Sequence, residues 1–411
     1  MITTLRQKVR LYKRQALVKK LHTATGVEIK QANANLNWRE YWHQQTTLQS
    51  KPRTMQIGTN WTCNLKCNFC LLTEESTQSR LKALPPRELQ ISDKVLQAVL
   101  ELMPYPERIS LTPLGEPVLY SKFGLFLERH AQAGSRNLAM TSNGNLITSD
   151  RAKAIVEAGM SQITFSVDSC DPEVYASMRV GGNLPRAEEG INHINNWKEK
   201  LQRTDPILTL ASTFMERNVR QMPLMVDFAL KHKFHTYGVQ LMDLEPHNPL
   251  LPEFLGNHLE LTKEMVLETL RRAEGKPLQV HINLALKNLL SNHLSSSEKR
   301  SLNNQGTIDR AKSDESFGQE GTLESINTKG QHLLEKCHYP WYFLLVDTNG
   351  DCRPCCWTGM SFGNLNDRGF DEIWNSKAAV KMRQDFLENK IPKACQEKHC
   401  RVDLDHHGSL E

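Results

Sequence analysis

From residue 54 to about 245 the chain alternates short apolar, β-branched runs with stretches of helical periodicity, and no other feature constrains its fold as much. The strand candidates are Thr54–Thr59, Arg108–Thr112, Asn137–Thr141, Gln162–Val167, Ile207–Thr213 and Tyr237–Met242. Helical patterns lie between them. In Ser92–Leu102, Val95, Leu96, Val99 and Leu100 form one apolar face; Ser149–Ala158 has Ser149 as N-cap and Gly159 as its stop. Such βα repeats imply parallel strands joined by crossover helices, an α/β class. Six of them fall short of a closed eight-stranded barrel, so the expected core is a partial (β/α)6, TIM-like barrel. Barrels of this kind carry their chemistry at the C-terminal ends of the strands.

The loop after the first strand holds Cys63, Cys67 and Cys70 in a C-x3-C-x2-C spacing. Three thiolates from one short loop leave one iron of a cubane [4Fe–4S] cluster open to a further ligand, whereas a structural cluster or zinc site takes a fourth protein ligand. Spacing alone also admits zinc with a distant fourth ligand, or a chance group of core thiols. The chain has ten cysteines in 411 residues, and its basic N-terminus lacks a secretory apolar region. That usage points to thiolate–metal chemistry in a reducing cytoplasm. No apolar run approaches the ~20 residues of a membrane span.

The cysteine run, with Phe69 before its last member, resembles the signature of the radical S-adenosylmethionine (SAM) superfamily. In that family the open iron chelates the SAM amino and carboxylate groups, and the reduced cluster cleaves SAM to a 5′-deoxyadenosyl radical. Further elements carry the resemblance along the strand ends. Gly115, Glu116 and Pro117, in Pro113-Leu-Gly-Glu-Pro117, resemble the element that hydrogen-bonds the SAM amino group, with Leu114 replacing the usual first glycine. Gly115 is expected to permit the backbone turn and Pro117 to stiffen it. Thr141-Ser-Asn-Gly144 is similar to the family's Thr-Asn-Gly element and brings Ser142 and Asn143. The resemblance implies that Ser166 and Asp168 face the ribose and methionine parts of SAM. It also implies that Arg179 pairs with the SAM carboxylate, a contact suited to its planar fork.

The C-terminal block resembles the auxiliary-cluster domains called SPASM and twitch. Cys337 opens it, Cys355 completes a Gly-x4-Cys from Gly350, Phe362-Gly-Asn-Leu365 and Glu372-Ile-Trp374 follow, and Cys395 and Cys400 close it. The resemblance implies one closed auxiliary [4Fe–4S] cluster on Cys337, Cys355, Cys395 and Cys400, the shorter twitch form, with Cys352 or Cys356 as alternative ligand. The last pair departs from the family as C-x4-C, and a four-thiolate zinc site is the other reading of that spacing.

The layout read from sequence is a basic helical extension over 1–50, a core over 51–250 and a helical extension over 251–294. A linker or insertion follows over 295–332, then the auxiliary domain over 333–402 and a tail over 403–411. Residues 1–27 hold seven Lys/Arg and no acidic residue, with Leu5, Val9, Tyr12, Ala16 and Leu17 at helical spacing. This reads as a helix packed across the barrel; an acidic peptide, nucleic acid or anionic membrane is the other use of such a face, nucleic acid the less favoured. Three acid/base or hydrogen-donor candidates remain: Cys170, after the fourth strand, and Glu245 and His247, past the sixth.

Together these imply an enzyme that abstracts a substrate hydrogen and completes a net oxidation with the auxiliary cluster as electron acceptor. The substrate is expected to be a secondary alcohol on a sugar, polyol or aminocyclitol, or else a ribosomal peptide undergoing crosslinking or cleavage. An epimerase using a cysteine thiol and a zinc-stabilised binding protein are the remaining readings. An electron donor such as flavodoxin or ferredoxin is the implied partner.

Overall fold

The computed structural model describes residues 15–21, 27–112, 114–134, 137–242, 248–304, 337–356 and 358–396. All six expected strands are present: β1 Thr54–Ile57, β2 Arg108–Leu111, β3 Leu138–Ser142, β4 Gln162–Ser166, β5 Ile207–Phe214 and β6 Thr236–Leu241. They pair in chain order, each parallel to the next. A seventh parallel strand, β7 Gln279–Ile282, extends the β6 edge from inside the stretch read as purely helical. The sheet is therefore larger than six strands, because β1 is not an edge either. β8 Phe343–Val346 pairs parallel with β1, and the antiparallel pair β9 Asp351–Arg353 and β10 Gly363–Asn364 continues from it. The order across the sheet is β10-β9-β8-β1-β2-β3-β4-β5-β6-β7.

The two faces of the sheet differ in chemistry. Along β5, Leu208, Leu210, Ser212 and Phe214 are buried, while Thr209, Ala211 and Thr213 between them are partly exposed. The buried set packs under the helices; Tyr237, for example, donates its hydroxyl to the Met222 carbonyl of the segment before Leu224–Lys231. The other set lines the lumen. Its floor carries a hydrogen-bonded chain in which Arg108 Nη1 donates to Gln162 Oε1 at 2.8 Å and Gln162 Nε2 donates to Thr209 Oγ1 at 2.9 Å.

The crossover helices follow their sequence signals with small shifts. Asp93–Leu102 is capped by Ser92 and buries Val95, Leu96, Val99 and Leu102, with Leu100 only partly buried. For Ser149–Glu157 the N-cap is Thr148, whose hydroxyl accepts the Arg151 N–H; Ser149 instead accepts a hydrogen bond from Trp197 Nε1. Gly159 does stop this helix, at φ +70°. The segment read as a linker begins as a helix, Ser296–Asn304, with Leu302 buried and Glu298 3.3 Å from Lys263. Residues 305–336 lie outside the described part.

The N-terminal helix Val27–Trp42 and the strap after it bind the C-terminal block to the barrel. Buried Arg383 donates to the carbonyls of Pro340, Thr46 and Trp374, and its guanidinium lies 4.7 Å from the Trp374 ring centroid. Trp341 donates to the Gln45 carbonyl and Trp374 to that of Ser50. Buried Glu40 accepts from Gln49 N, Ser50 N and Ser50 Oγ. Of the basic N-terminal stretch, residues 15–21 form a helix whose Leu17 and Leu21 pack with Leu36 and Tyr105. No described helix is long and apolar enough to cross a membrane.

Candidate active site

The cysteine loop leaves β1 at the C-terminal rim and is strapped down by the turn after helix Pro172–Met178. Lys66 N donates to the Val180 carbonyl, Asn68 N to that of Met178 and Asn68 Nδ2 to that of Ser177. Thr73 Oγ1 reaches the carbonyls of Cys67 and Cys70, both at 2.7 Å, and closes the loop on itself. Burial pushes all three thiols up, that of Cys67 to about 11, and Arg179 pulls each of them back down.

Every thiol has N–H groups facing it. Cys63 Sγ accepts from Leu65 N at 3.4 Å and Asn143 Nδ2 at 3.9 Å. Cys67 Sγ accepts from Arg179 Nη1 at 3.9 Å. The backbone N–H groups of Leu72 and Thr73 serve Cys70. Phe69 turns away into an apolar group with Met178, Met215, Met242 and Leu250.

Gly115 and Glu116 support this loop from below. A Cβ on Gly115 would stand 2.4 Å from Asn60 Oδ1 and 2.5 Å from the Thr62 carbonyl, so the residue is glycine because the backbones touch. Its φ is not in the left-handed region, which corrects the expectation that a special φ/ψ demands it. Glu116 N donates to the Thr62 carbonyl at 2.8 Å, and Pro117 opens a short 3-10 turn. The buried Glu116 carboxylate accepts from Ser142 Oγ at 2.7 Å and Asn143 N at 2.9 Å. Burial lifts its carboxyl to about 7 against those two bonds.

The third support is Asp168, fully buried beyond the end of β4. Its Oδ1 accepts Thr213 N at 2.8 Å and its Oδ2 lies 2.7 Å from Arg179 Nε. Burial acts against the Arg179 charge, but Asp168 and Cys67 outweigh it and hold the guanidinium protonated. Ser166 sits on the lumen face of β4, partly exposed.

Cys170 makes its contacts elsewhere. The Cys170 thiol donates to Gln221 Oε1 at 3.3 Å, and its charged neighbours are Asp171, Asp227 and Glu188. Asp227 and Glu188 belong to the outer helices, and the one hydrogen bond the thiol donates runs to Gln221. Glu245, His247 and Cys400 lie outside the described residues. In the C-terminal block Cys352 is fully buried within β9, with its thiol pushed well up by burial. Cys355 is partly exposed and accepts Thr358 N at 3.4 Å, Cys356 is exposed, and Cys337 and Cys395 are partly and fully buried. Among the described residues no three Cys, His, Asp or Glu side chains form a ready metal shell.

Residues 62–197 match the profile of the radical SAM superfamily, and residues 337–401 match SPASM, an iron-sulfur cluster-binding domain. The chain carries a radical SAM domain and, C-terminal to it, a SPASM domain. The probable GTP 3′,8-cyclase of Methanococcus maripaludis strain C5 is 25% identical over 209 residues, 51% of this chain and 63% of that protein. The GTP 3′,8-cyclase of Pelotomaculum thermopropionicum is 34% identical over 152 residues, 36% and 44% of the two chains. The chain thus spans less than two thirds of these curated relatives. The crystal structure of Streptococcus suis SuiB bound to S-adenosylmethionine has the same fold, with TM-score 0.57 at 15% identity, covering 87% of this chain and 72% of that one. Native anSMEcpe with bound AdoMet gives TM-score 0.52 at 14% identity, covering 84% and 85%.

A radical SAM domain implies a [4Fe–4S] cluster and SAM, and a SPASM domain implies auxiliary iron–sulfur clusters. The donor set at the radical SAM loop fits: three soft thiols that feel one another's charge, each faced by N–H groups that favour the thiolate. The matching C-terminal domain is SPASM, and nothing in the comparison singles out the twitch form.

His281 is a lumen residue that the sequence reading missed. His281 on β7 pairs across to Gly238, which pairs with Ala211, which pairs with Ser166. The alternation Leu278, Val280, Ile282 was the available signal, since a strand with those residues inward to the helices puts His281 on the opposite face.

Proposed function

We propose that this chain is a radical SAM oxidoreductase acting on a polar substrate in the barrel lumen, with an alcohol of a sugar, polyol or aminocyclitol as the favoured target. When bound at Cys63, Cys67 and Cys70, the cluster and SAM supply a 5′-deoxyadenosyl radical that takes a hydrogen atom from the substrate. The observation that carries the reading is the position of the cysteine loop at the rim of a lumen lined, among the described residues, by hydroxyls, amides and the His281 imidazole. Thr164, Ser166, Thr209, Thr213 and His281 are all partly buried on that face. Such groups exchange hydrogen bonds with a polar substrate and offer little to an apolar one. Burial and the Lys287 charge hold the His281 ring neutral, so it is placed to accept a proton from a substrate hydroxyl. Oxidation as the outcome is supported by the SPASM domain, whose iron–sulfur centre is a destination for the electron that a substrate radical must lose.

A peptide is the second reading. What supports it is that solved structures of this fold include SuiB bound to precursor peptide SuiA and anSMEcpe with AdoMet and a peptide. The Cys170 thiol, turned toward Gln221, gives the epimerase reading no support.

The test is anaerobic reconstitution of the wild type and of a Cys63→Ala, Cys67→Ala, Cys70→Ala variant, with iron counted and 5′-deoxyadenosine followed after adding reductant and SAM. About eight irons falling to about four, with SAM cleavage lost, is the expected result for a radical cluster plus one auxiliary cluster. A wild type that holds zinc without sulfide and leaves SAM intact would sink the proposal.

A further inference from the structure

We propose that Arg179 is a positioning residue that raises the reduction potential of the cluster at Cys63, Cys67 and Cys70, with Asp168 holding it against Cys67. The inference rests on the reading that those cysteines hold a [4Fe–4S] cluster.

Asp168 is immobilised from several sides. Its Oδ1 accepts the Thr213 N–H at 2.8 Å, and its main-chain carbonyl accepts Asn218 Nδ2 at 2.9 Å. Asn218 is itself fixed, since its Oδ1 accepts Met215 N at 2.8 Å. The free side of the carboxylate faces Arg179 Nε at 2.7 Å, with the aspartate wholly buried. Arg179 follows directly on helix Pro172–Met178, and its N–H bonds the Tyr175 carbonyl at 2.8 Å, so its main chain is fixed too. The guanidinium lies 5.6 Å from the Phe69 ring centroid and ends with Nη1 3.9 Å from Cys67 Sγ.

Two of the three guanidinium nitrogens are thus committed, one to a carboxylate and one to a sulfur. The arrangement is asymmetric across the three cysteines. Cys63 is faced by a backbone N–H and a neutral amide, and Cys70 by backbone N–H groups. The Arg179 charge is felt by all three thiols, but among them only Cys67 has the guanidinium in direct N–H···S contact. The ion pair has no net charge, but its positive end is the end at the sulfur. In a buried setting such an oriented dipole stabilises the state of the cluster that carries one more electron. The N–H···S contact acts in the same direction, since hydrogen bonds to cluster sulfurs are among the determinants of potential.

The alternative role, a contact from Arg179 to the SAM carboxylate, predicts a different readout. The experiment is an EPR-monitored redox titration of the reconstituted full chain without SAM, for wild type, Arg179→Lys and Arg179→Met. The signal of this cluster is identified as the one that SAM perturbs. Iron content and thermal unfolding are measured in parallel, and Arg179→Lys, which keeps the charge on a slightly shorter side chain, is the variant that should fold most readily. The expected result is full iron in both variants, a midpoint shifted to more negative potential in Arg179→Met, and part of that shift recovered in Arg179→Lys. Full iron with midpoints equal to wild type, and only SAM affinity reduced, would overturn the inference and leave Arg179 as a SAM ligand. A wild type that takes up no cluster at these cysteines overturns the underlying reading, and this inference with it.

Discussion

Glu116 Oε2 accepts the backbone N–H of Asn143 at 2.9 Å, and through that bond one buried carboxylate fixes the residue whose side-chain amide reaches Cys63. The two oxygens are divided between Ser142 and Asn143, so the end of β3 is tied to the turn after β2. Glu116 thereby acts on the cysteine loop from behind.

Its titration makes stability depend on pH. Burial lifts the carboxyl from an ordinary 4.5 to about 7, so the folded state binds a proton that the unfolded chain releases earlier. That contribution is fully present below the unfolded pKa and is lost as pH rises through the folded one. The loss across that window is on the order of 3 kcal/mol. Glu116→Gln, neutral throughout, should flatten the urea midpoint between about pH 4.5 and pH 8 relative to wild type. Parallel profiles for the two proteins would show that Glu116 is not the titrating group.

Gly115→Ala should be costly and its cost should reach the metal site. The added methyl meets the carbonyls of Thr62 and Asn60 at 2.5 and 2.6 Å, and backbone atoms cannot swing aside as a side chain can. A destabilisation of about 2–3 kcal/mol is expected, with lower iron uptake at Cys63, Cys67 and Cys70. Gly124→Ala is the control, because nothing lies within 4 Å of its Cβ and it sits in helix Phe123–Gln132. It should be neutral or stabilising by up to about 1 kcal/mol.

The parts of this molecule legible in the sequence were those set by local pattern. β1 to β6 announce themselves by β-branched alternation, and the cysteine loop by spacing within one turn of chain. β7 escaped because only Gln279–Ile282 is extended before the leucine-rich helix Leu284–Leu290 takes over. The pairing of β8 with β1 joins Thr54 to Phe343, and nothing local in either segment says that β1 has a second partner. Thr148 and Ser149 are equally good caps by type, and the choice falls on Thr148 because Ser149 is engaged by Trp197. The Asp168–Arg179 pair was invisible as a pair because the path of helix Pro172–Met178 between them decides the contact. Both residues were noticed only through the family resemblance.

Arg383 is the buried joint between the N-terminal strap and the SPASM domain. Arg383→Met keeps the apolar bulk beside Trp374 but leaves the carbonyls of Pro340, Thr46 and Trp374 without their donor. It also leaves buried Glu40 without the nearby cation. A loss of about 3–5 kcal/mol is expected from urea denaturation. A loss below about 1 kcal/mol would mean that the strap is held by its other bonds, those with Trp341, Trp374, Asn375 and Glu40.

Cys352 and Cys355 should separate packing from ligation. Cys352 is sealed inside β9, whereas Cys355 is partly exposed with the Thr358 N–H facing its sulfur. Cys352→Ser is expected to cost about 1–3 kcal/mol for a buried hydroxyl while leaving iron content unchanged. Cys355→Ser should lower iron by about four per chain, if the auxiliary cluster is a cubane. The reverse pattern would make Cys352 the ligand.

The lumen reading is tested most sharply at Gly238. In the row Ser166, Ala211, Gly238, His281, the two small residues leave a notch between a hydroxyl and an imidazole. The ends of that row are three strand spacings apart, about 14 Å, enough for a sugar ring or a short peptide. A Cβ at Gly238 would meet only the Leu210 carbonyl, at 3.6 Å, so the fold itself does not require the glycine there. Valine suits a strand and should change stability by less than about 1 kcal/mol. It should, however, fill the notch. Gly238→Val is therefore expected to keep wild-type iron content and wild-type 5′-deoxyadenosine formation from SAM alone. Assayed with a panel of cyclitols, amino sugars and peptides, it should lose whatever stimulation the wild type gains from its substrate. If stimulation survives intact, the substrate does not rest on this row, and the polar lumen loses its place in the proposed function.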